Sequence, residues 1–231
     1  MSAEDLGILW LTVRVAAIAT LVNLPIGVAM GWALSRSRGP VRTLAETILS
    51  LPLVLPPTAV GLLLLTTLRR NGPLGRVLES AGIEILFTAR AVVIASAVMS
   101  LPFLVRFART AFEEVDPRLL AMARTLGDSQ SAAFRRVALP LAWRGIAAGT
   151  LLAFSRALGE FGATILVAGN IPGRTQTLAL AIFQRSHIGQ DDAAMRLVAV
   201  TVVLAFAAVL ATEILTSRRA HRTDAKEADL S

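Results

Sequence analysis

The apolar positions of this 231-residue chain fall in long blocks separated by short polar connections, and block length predicts the elements. A hydrocarbon core of roughly 30 Å takes about 20 helical residues to cross. Five blocks meet that length, at about 6–34, 44–68, 89–108, 145–168 and 197–215. The expected fold is therefore all-α: one polytopic transmembrane domain over 1–217, then a solvated tail over 218–231. No internal repeat and no second folded unit is visible. The start, MSAEDLG, lacks the basic flank and small-residue cleavage site of a removable signal. The apolar piece LALAIF, after the turn-rich GNIPGRTQ, is too brief to cross.

Some blocks carry irregularities. The second contains LPLVLPPT, where Pro52, Pro56 and Pro57 remove helix donors. A kink or local unwinding follows, which a bilayer tolerates only where protein or a water cavity covers the backbone. Pro56, Pro57 and the adjacent Thr58 are thus candidates for lining a path. Pro102 predicts another kink. Arg14 interrupts the first block, either snorkelling to the interface or facing an internal partner. Asn71-Gly72-Pro73 signals a turn ahead of an amphipathic piece suited to a surface, and Trp143 sits where an aromatic interface anchor belongs.

The longest polar insertion is 113–142. Asp116-Pro117 is a helix start, because the Asp side chain accepts from free amides and Pro has no donor to lose. Leu119, Leu120, Ala121, Met122, Ala123 and Leu126 follow, with the apolar positions at helical spacing, and Gly127 supplies a stop. Asp128 is placed to cap a second short helix, SQSAAFRRV, whose Phe134 and Val137 share a face, and Pro140 precedes the next apolar block. Two short helices joined at a glycine and held between spans form a rigid knob for a partner in water.

Composition narrows the class. The chain is 55% apolar, with mean hydropathy +0.65, beyond the usual share for a soluble domain. Cysteine is absent, which removes disulfide and thiolate chemistry. The net charge of +7 comes from basic residues scattered at block ends with few aromatics between them, unlike a nucleic-acid surface. No Walker-type glycine loop and no HExxH occurs, and the histidines, His187 and His221, lie on peripheral segments. A passive channel would need polar residues repeated along a pore, and Thr58, Ser155, Arg156 and Thr164 are the candidates. Five crossings put the termini on opposite sides. With the N-terminus outside, 14 basic residues fall inside and 7 outside: Arg69, Arg70, Arg76, Arg90, Arg174, Arg185 and Arg196. The positive-inside rule then places the insertion in the cytoplasm.

One ionisable pair lies deep in a block: Arg156 and Glu160 in SRALGEFGAT, one turn apart and able to pair on one helix face. Buried membrane charges face the bundle interior and mark a pathway or a structural pair. Glu160 reads as a clamp or gate latch rather than a direct contact to an anionic cargo, which a carboxylate repels.

LLAMARTLGDSQSAAFRRVALP resembles the cytoplasmic EAA loop of ABC importer permeases: Met122 and Ala123 stand at the small-residue pair, and Gly127, Leu139 and Pro140 match. Ala121 stands where that family has its namesake Glu. LGEFGATILVAGNIPGRTQTLALAIF, LPLVLPPTAVG and VMSLPFLVR resemble the molybdate permease subunits, with sulfate permeases as close variants. The resemblance implies the permease fold, with a coupling-helix loop, in a bacterial inner membrane. It implies a homodimer around a central path, a cytoplasmic ATPase dimer holding ATP and Mg, and a periplasmic or lipid-anchored oxyanion-binding protein that meets Asn170, Pro172, Gly173 and Arg174. No catalytic residue, metal site or cofactor of its own is implied. Molybdate is the implied cargo, with tungstate and sulfate or thiosulfate as alternatives.

Overall fold

The computed structural model describes residues 2–217, and among them there is no strand. The helices are α1 (Ala3–Arg36), α2 (Pro40–Val54), α3 (Pro57–Leu68), α4 (Gly75–Ser80), α5 (Ala89–Glu113), α6 (Pro117–Thr125), α7 (Gln130–Ala133), α8 (Leu139–Leu158), α9 (Gly162–Ala168), α10 (Leu178–His187) and α11 (Asp191–Ser217). A five-residue π-helical turn, Phe134–Ala138, joins α7 to α8 without interruption. Four helices are long and apolar enough to cross a membrane: α1, α5, the rod from Gln130 to Leu158, and α11. The pair α2 and α3, bent by 108° at Leu55-Pro56, is together long and apolar enough for a broken span or a re-entrant loop. The proline-rich block is therefore an elbow, as its missing donors require.

Helix α5 is the central element, packed on α1 along one side and on α8 along the other. Its Ala91, Ala95 and Ala108 are fully buried, and such small residues let neighbouring backbones approach without a polar cost. One buried polar clamp crosses the α1–α5 seam, where Asn23 Nδ2 donates to Ala97 O at 2.8 Å and to Ser100 Oγ at 3.1 Å. In the low dielectric of that seam an unmet amide costs heavily, so the clamp fixes the register of the two helices.

The two ends of the bundle are chemically distinct. At one end the start of α1 meets α10: Thr12 Oγ1 accepts from Leu178 N at 2.9 Å, and Arg185 pairs with Asp5 at 2.7 Å. At the other, Trp32 near the end of α1 meets Phe112 of α5 and Phe134 of the π turn, with ring centroids 5.1 and 4.9 Å away. Residues 169–190 and α6 thus lie at opposite ends.

Several sequence expectations change. The 89–108 block continues as helix to Glu113, because Arg106 and Arg109 pair sideways instead of ending it. The 145–168 block is not one helix. Its helix starts far earlier, at Gln130, and stops at Leu158, and a separate short helix carries 162–168. Arg14 is on the exposed face of α1. The tail 218–231 lies outside the described residues.

Candidate functional site

The polar insertion folds from its caps outward. Asp116 Oδ1 accepts from Arg118 N at 2.8 Å, with Pro117 at the first position of α6. At the far end Gly127 takes φ +96°, its N–H reaches Arg124 O at 3.1 Å, and Asp128 N–H reaches Ala123 O at 3.0 Å. That pair of bonds is a Schellman stop, and a left-handed residue is its requirement. The next cap is Ser129, not Asp128: Ser129 Oγ accepts from Ala132 N at 3.2 Å. Asp128 is drawn off by Arg136, 2.7 Å away.

A second correction concerns the expected second short helix. Residues 130–158 form one rod, so SQSAAFRRV is the end of a crossing helix. Pro140 does not break it. The π turn just before it widens the backbone spiral, and Leu139 N–H bonds back to Phe134 O, five residues away. That extra residue relieves the clash a proline ring would make in a tight α turn.

The apolar positions of α6 divide between two faces. Leu120 and Ala123 are buried with Phe112, Val115 and Ala133. Leu119, Met122 and Leu126 are 42%, 62% and 86% exposed. At spacings of three and four residues they make one uncovered apolar stripe on the outer side of a capped helix. Ala121 lies on the exposed part of the same helix. Phe134 and Val137 pack inward against the buried cluster. The sequence did not single out Trp32 and Phe112, which with Phe134 form the aromatic seat of α6. The signal available was a Trp one turn before Arg36, the first basic residue after the first block.

The elbow meets the gap between α8 and α9. There α8 ends beside Ala16 of α1, through Ala157 and Leu158. Gly61 of α3 lies against Ala163, and Gly162 lies against Pro57. Glu160, 2% exposed, is in the break itself. Its Oε1 accepts from Ala163 N at 2.8 Å, so it satisfies an orphan amide at the start of α9. Its Oε2 is 2.8 Å from Arg156 Nη2, an ion pair by distance whose N–H direction misses the oxygen. The pair is the one the sequence spacing suggested, but it bridges a helix end instead of lying along one helix. Thr164 is fully buried and its hydroxyl has no partner among the described residues. Pro56, Pro57 and Thr58 are exposed, with Pro57 touching Gly162, and Ser155 spends its hydroxyl on Leu151 O. Of the path candidates, therefore, the elbow residues are open to the surroundings, while Glu160 and Thr164 are sealed behind them.

At the opposite end from α6, the segment 169–177 is an exposed tip on a buried polar base. Pro172, Gly173 and Arg174 are exposed, and Gly173 has φ +73°. Three amides, those of Arg174, Thr175 and Gln176, converge on Ile171 O. Asn170 Nδ2 donates to Gln184 Oε1 at 2.8 Å, which makes Asn170 part of the base.

With this geometry in view, the comparisons decide the family. Residues 23–221 match the family described as binding-protein-dependent transport system inner membrane component. The chain belongs to this family. The chain is thus an inner membrane component of a transport system. It is 43% identical to the molybdenum transport system permease protein ModB of Escherichia coli (strain K12) over 207 residues, 89% of this chain and 90% of the relative. It is 44% identical to the protein of that name in Mycobacterium tuberculosis, over 87% of this chain and 76% of the relative. The sulfate transport system permease protein CysT of Salmonella typhimurium is 35% identical over 91% of this chain and 76% of the relative. Among solved structures, a bacterial ABC transporter involved in import of the acidic polysaccharide alginate aligns at TM-score 0.72. That alignment covers 94% of this chain and 80% of that chain at 17% identity, a likeness of fold.

Proposed function

We propose that this chain is the membrane-spanning permease subunit of an ATP-driven importer of molybdate, building the translocation path and coupling it to a separate ATPase. The observation that carries the cargo is the near full-length 43% identity to a molybdenum permease, against 35% to the sulfate relative. The coupling rests on α6, where Leu119, Met122 and Leu126 present an apolar stripe that a groove of a cytoplasmic ATPase would cover. Two copies of the permease enclose the path, with the elbow at Pro56-Pro57-Thr58 and the Arg156–Glu160 break as its moving parts. An oxyanion-binding protein outside meets the tip at Pro172-Gly173-Arg174. The N-terminus lies outside and the end of α11 in the cytoplasm, which the excess of arginine on the α6 side supports. ATP and Mg belong to the partner.

The test is ATP hydrolysis by the chain reconstituted with its ATPase and binding protein, titrated with molybdate, tungstate and sulfate. Stimulation by molybdate and tungstate without sulfate is expected. Stimulation by sulfate alone moves the cargo to sulfate, and none by any oxyanion overturns the oxyanion reading.

A further inference from the structure

A cleft of about 700 Å³ opens between α2 and α5 near the α6 end of the bundle. Leu51, Val54, Pro102 and Val105 form its apolar walls, and Glu46, Ser50, Arg106 and Arg109 bring polar groups into it. Glu46 is already neutralised: its Oε1 receives Arg42 at 2.7 Å and Arg109 as well. Arg42 also reaches Glu113 at 2.6 Å. Arg106 is different. Among the described residues no carboxylate pairs with it, and its Nη2 donates to Ser50 Oγ at 2.8 Å. Ser50 in turn donates to Glu46 O at 2.6 Å, so its hydrogen is committed. Arg109 also lines the cleft, and its Nε is buried with no acceptor among the described residues.

A cleft with apolar walls, one guanidinium unpaired by any described carboxylate and one buried guanidinium N–H without a described acceptor is complementary to an acceptor-rich, negatively charged occupant. Of the charges in this network, Arg42, Arg106 and Arg109 exceed Glu46 and Glu113 by one, and the surplus is at Arg106. We infer that the α2/α5 cleft is an anion subsite, in which Arg106 and Arg109 bind a tetrahedral dianion of the cargo class before it leaves toward the α6 side. This rests on the oxyanion importer reading above. The elbow at Pro56 bounds the same α2 helix, so bending there widens or narrows the cleft and provides for release.

The experiment uses the chain with its ATPase in nanodiscs of phosphatidylcholine, without binding protein, and measures equilibrium binding of labelled molybdate and labelled sulfate. Saturable binding of at least one is expected, and Arg106→Gln should weaken it about tenfold, the loss of one charge-assisted contact. Arg106→Lys, which retains the charge, should recover part of the affinity. Arg106 is exposed and its side-chain hydrogen bond among the described residues goes to Ser50, so Arg106→Gln should fold, and recovery of the intact complex checks that. Binding equal in wild type and Arg106→Gln overturns the subsite. So does loss of binding when phosphatidylglycerol replaces phosphatidylcholine, because the occupant is then a lipid headgroup. Stimulation of hydrolysis by the loaded binding protein, read on the same samples, separates the two readings. Normal molybdate stimulation without Arg106-dependent binding removes the subsite alone. Sulfate-only stimulation with Arg106-dependent sulfate binding removes the molybdate assignment and leaves the subsite standing.

Discussion

Gly61 faces Ala163 across the α3–α9 crossing with so little room that a Cβ on the glycine would lie 2.8 Å from the Ala163 Cα. The atom it would meet is backbone, which cannot rotate away. Gly61→Val should therefore lower stability by about 1–3 kcal/mol through overpacking. Leu62→Ala, on the exposed neighbour, should change it by under about 0.5 kcal/mol. Thermal unfolding in detergent compares the two, and equal effects would show that the crossing is not close-packed.

Gly127 has open space around it but φ +96°, so side-chain bulk is not what forbids substitution there. The cost is conformational, about 1–2 kcal/mol for an ordinary residue in the left-handed region. Gly127→Val should unravel the stop of α6 and abolish ATPase association while membrane insertion is retained. Gly127→Asn should be tolerated. A detergent pull-down that recovers the Val variant in normal yield counts against a need for the Gly127 stop in ATPase association.

The two faces of α6 make opposite predictions. Leu119→Ser with Met122→Ser should weaken ATPase capture by about 2 kcal/mol or more, as for paired interface anchors, with little change in unfolding temperature. Leu120→Ala should do the reverse, because Leu120 is buried against Phe112 and Ala133, at a cost of about 2–3 kcal/mol. If both variants lose capture and stability together, the stripe is structural.

Glu160 is buried, lies beside Arg156 and accepts from the Ala163 amide of α9. Glu160→Gln preserves an acceptor for Ala163 N and removes the ion pair. It should change the number of ATP hydrolysed per anion transported more than the order of anion preference. Transport and hydrolysis measured on the same vesicles give that ratio, and a clean switch of anion preference would overturn the latch reading.

What the sequence showed, and what it hid, follows from the range of the interactions. Asp116-Pro117 and Gly127 were legible because a cap or a left-handed stop is decided within a turn of chain. The bend at Pro56 was legible because two prolines delete donors whatever surrounds them. Ser129 was masked by Asp128, a residue of equal capping propensity that Arg136, eight positions on, takes away. The continuity of the rod through Pro140 depends on a π turn, and no residue type announces one. The end of α8 at Leu158 was hidden for a different reason. Glu160 replaces the lost backbone bond with its own carboxylate, and Pro57, more than a hundred residues earlier, comes so close that a Cβ at 162 would lie 2.6 Å from its own. The division of α6 into a buried and a bare face likewise depends on Trp32 and Phe112, which no local pattern brings near.

The uninterrupted helix from Gln130 to Leu158 carries one further meaning. At 1.5 Å per residue its length is about 40 Å. Its foot is the junction with α6, and its head is the seam at Glu160. A push delivered at the foot is carried toward the head by one continuous helix, whose widened turn at Phe134–Ala138 lies near the foot. The seam at Gly159–Phe161 is the first joint it meets. A displacement of the foot is met there, about 40 Å away, as a change of angle.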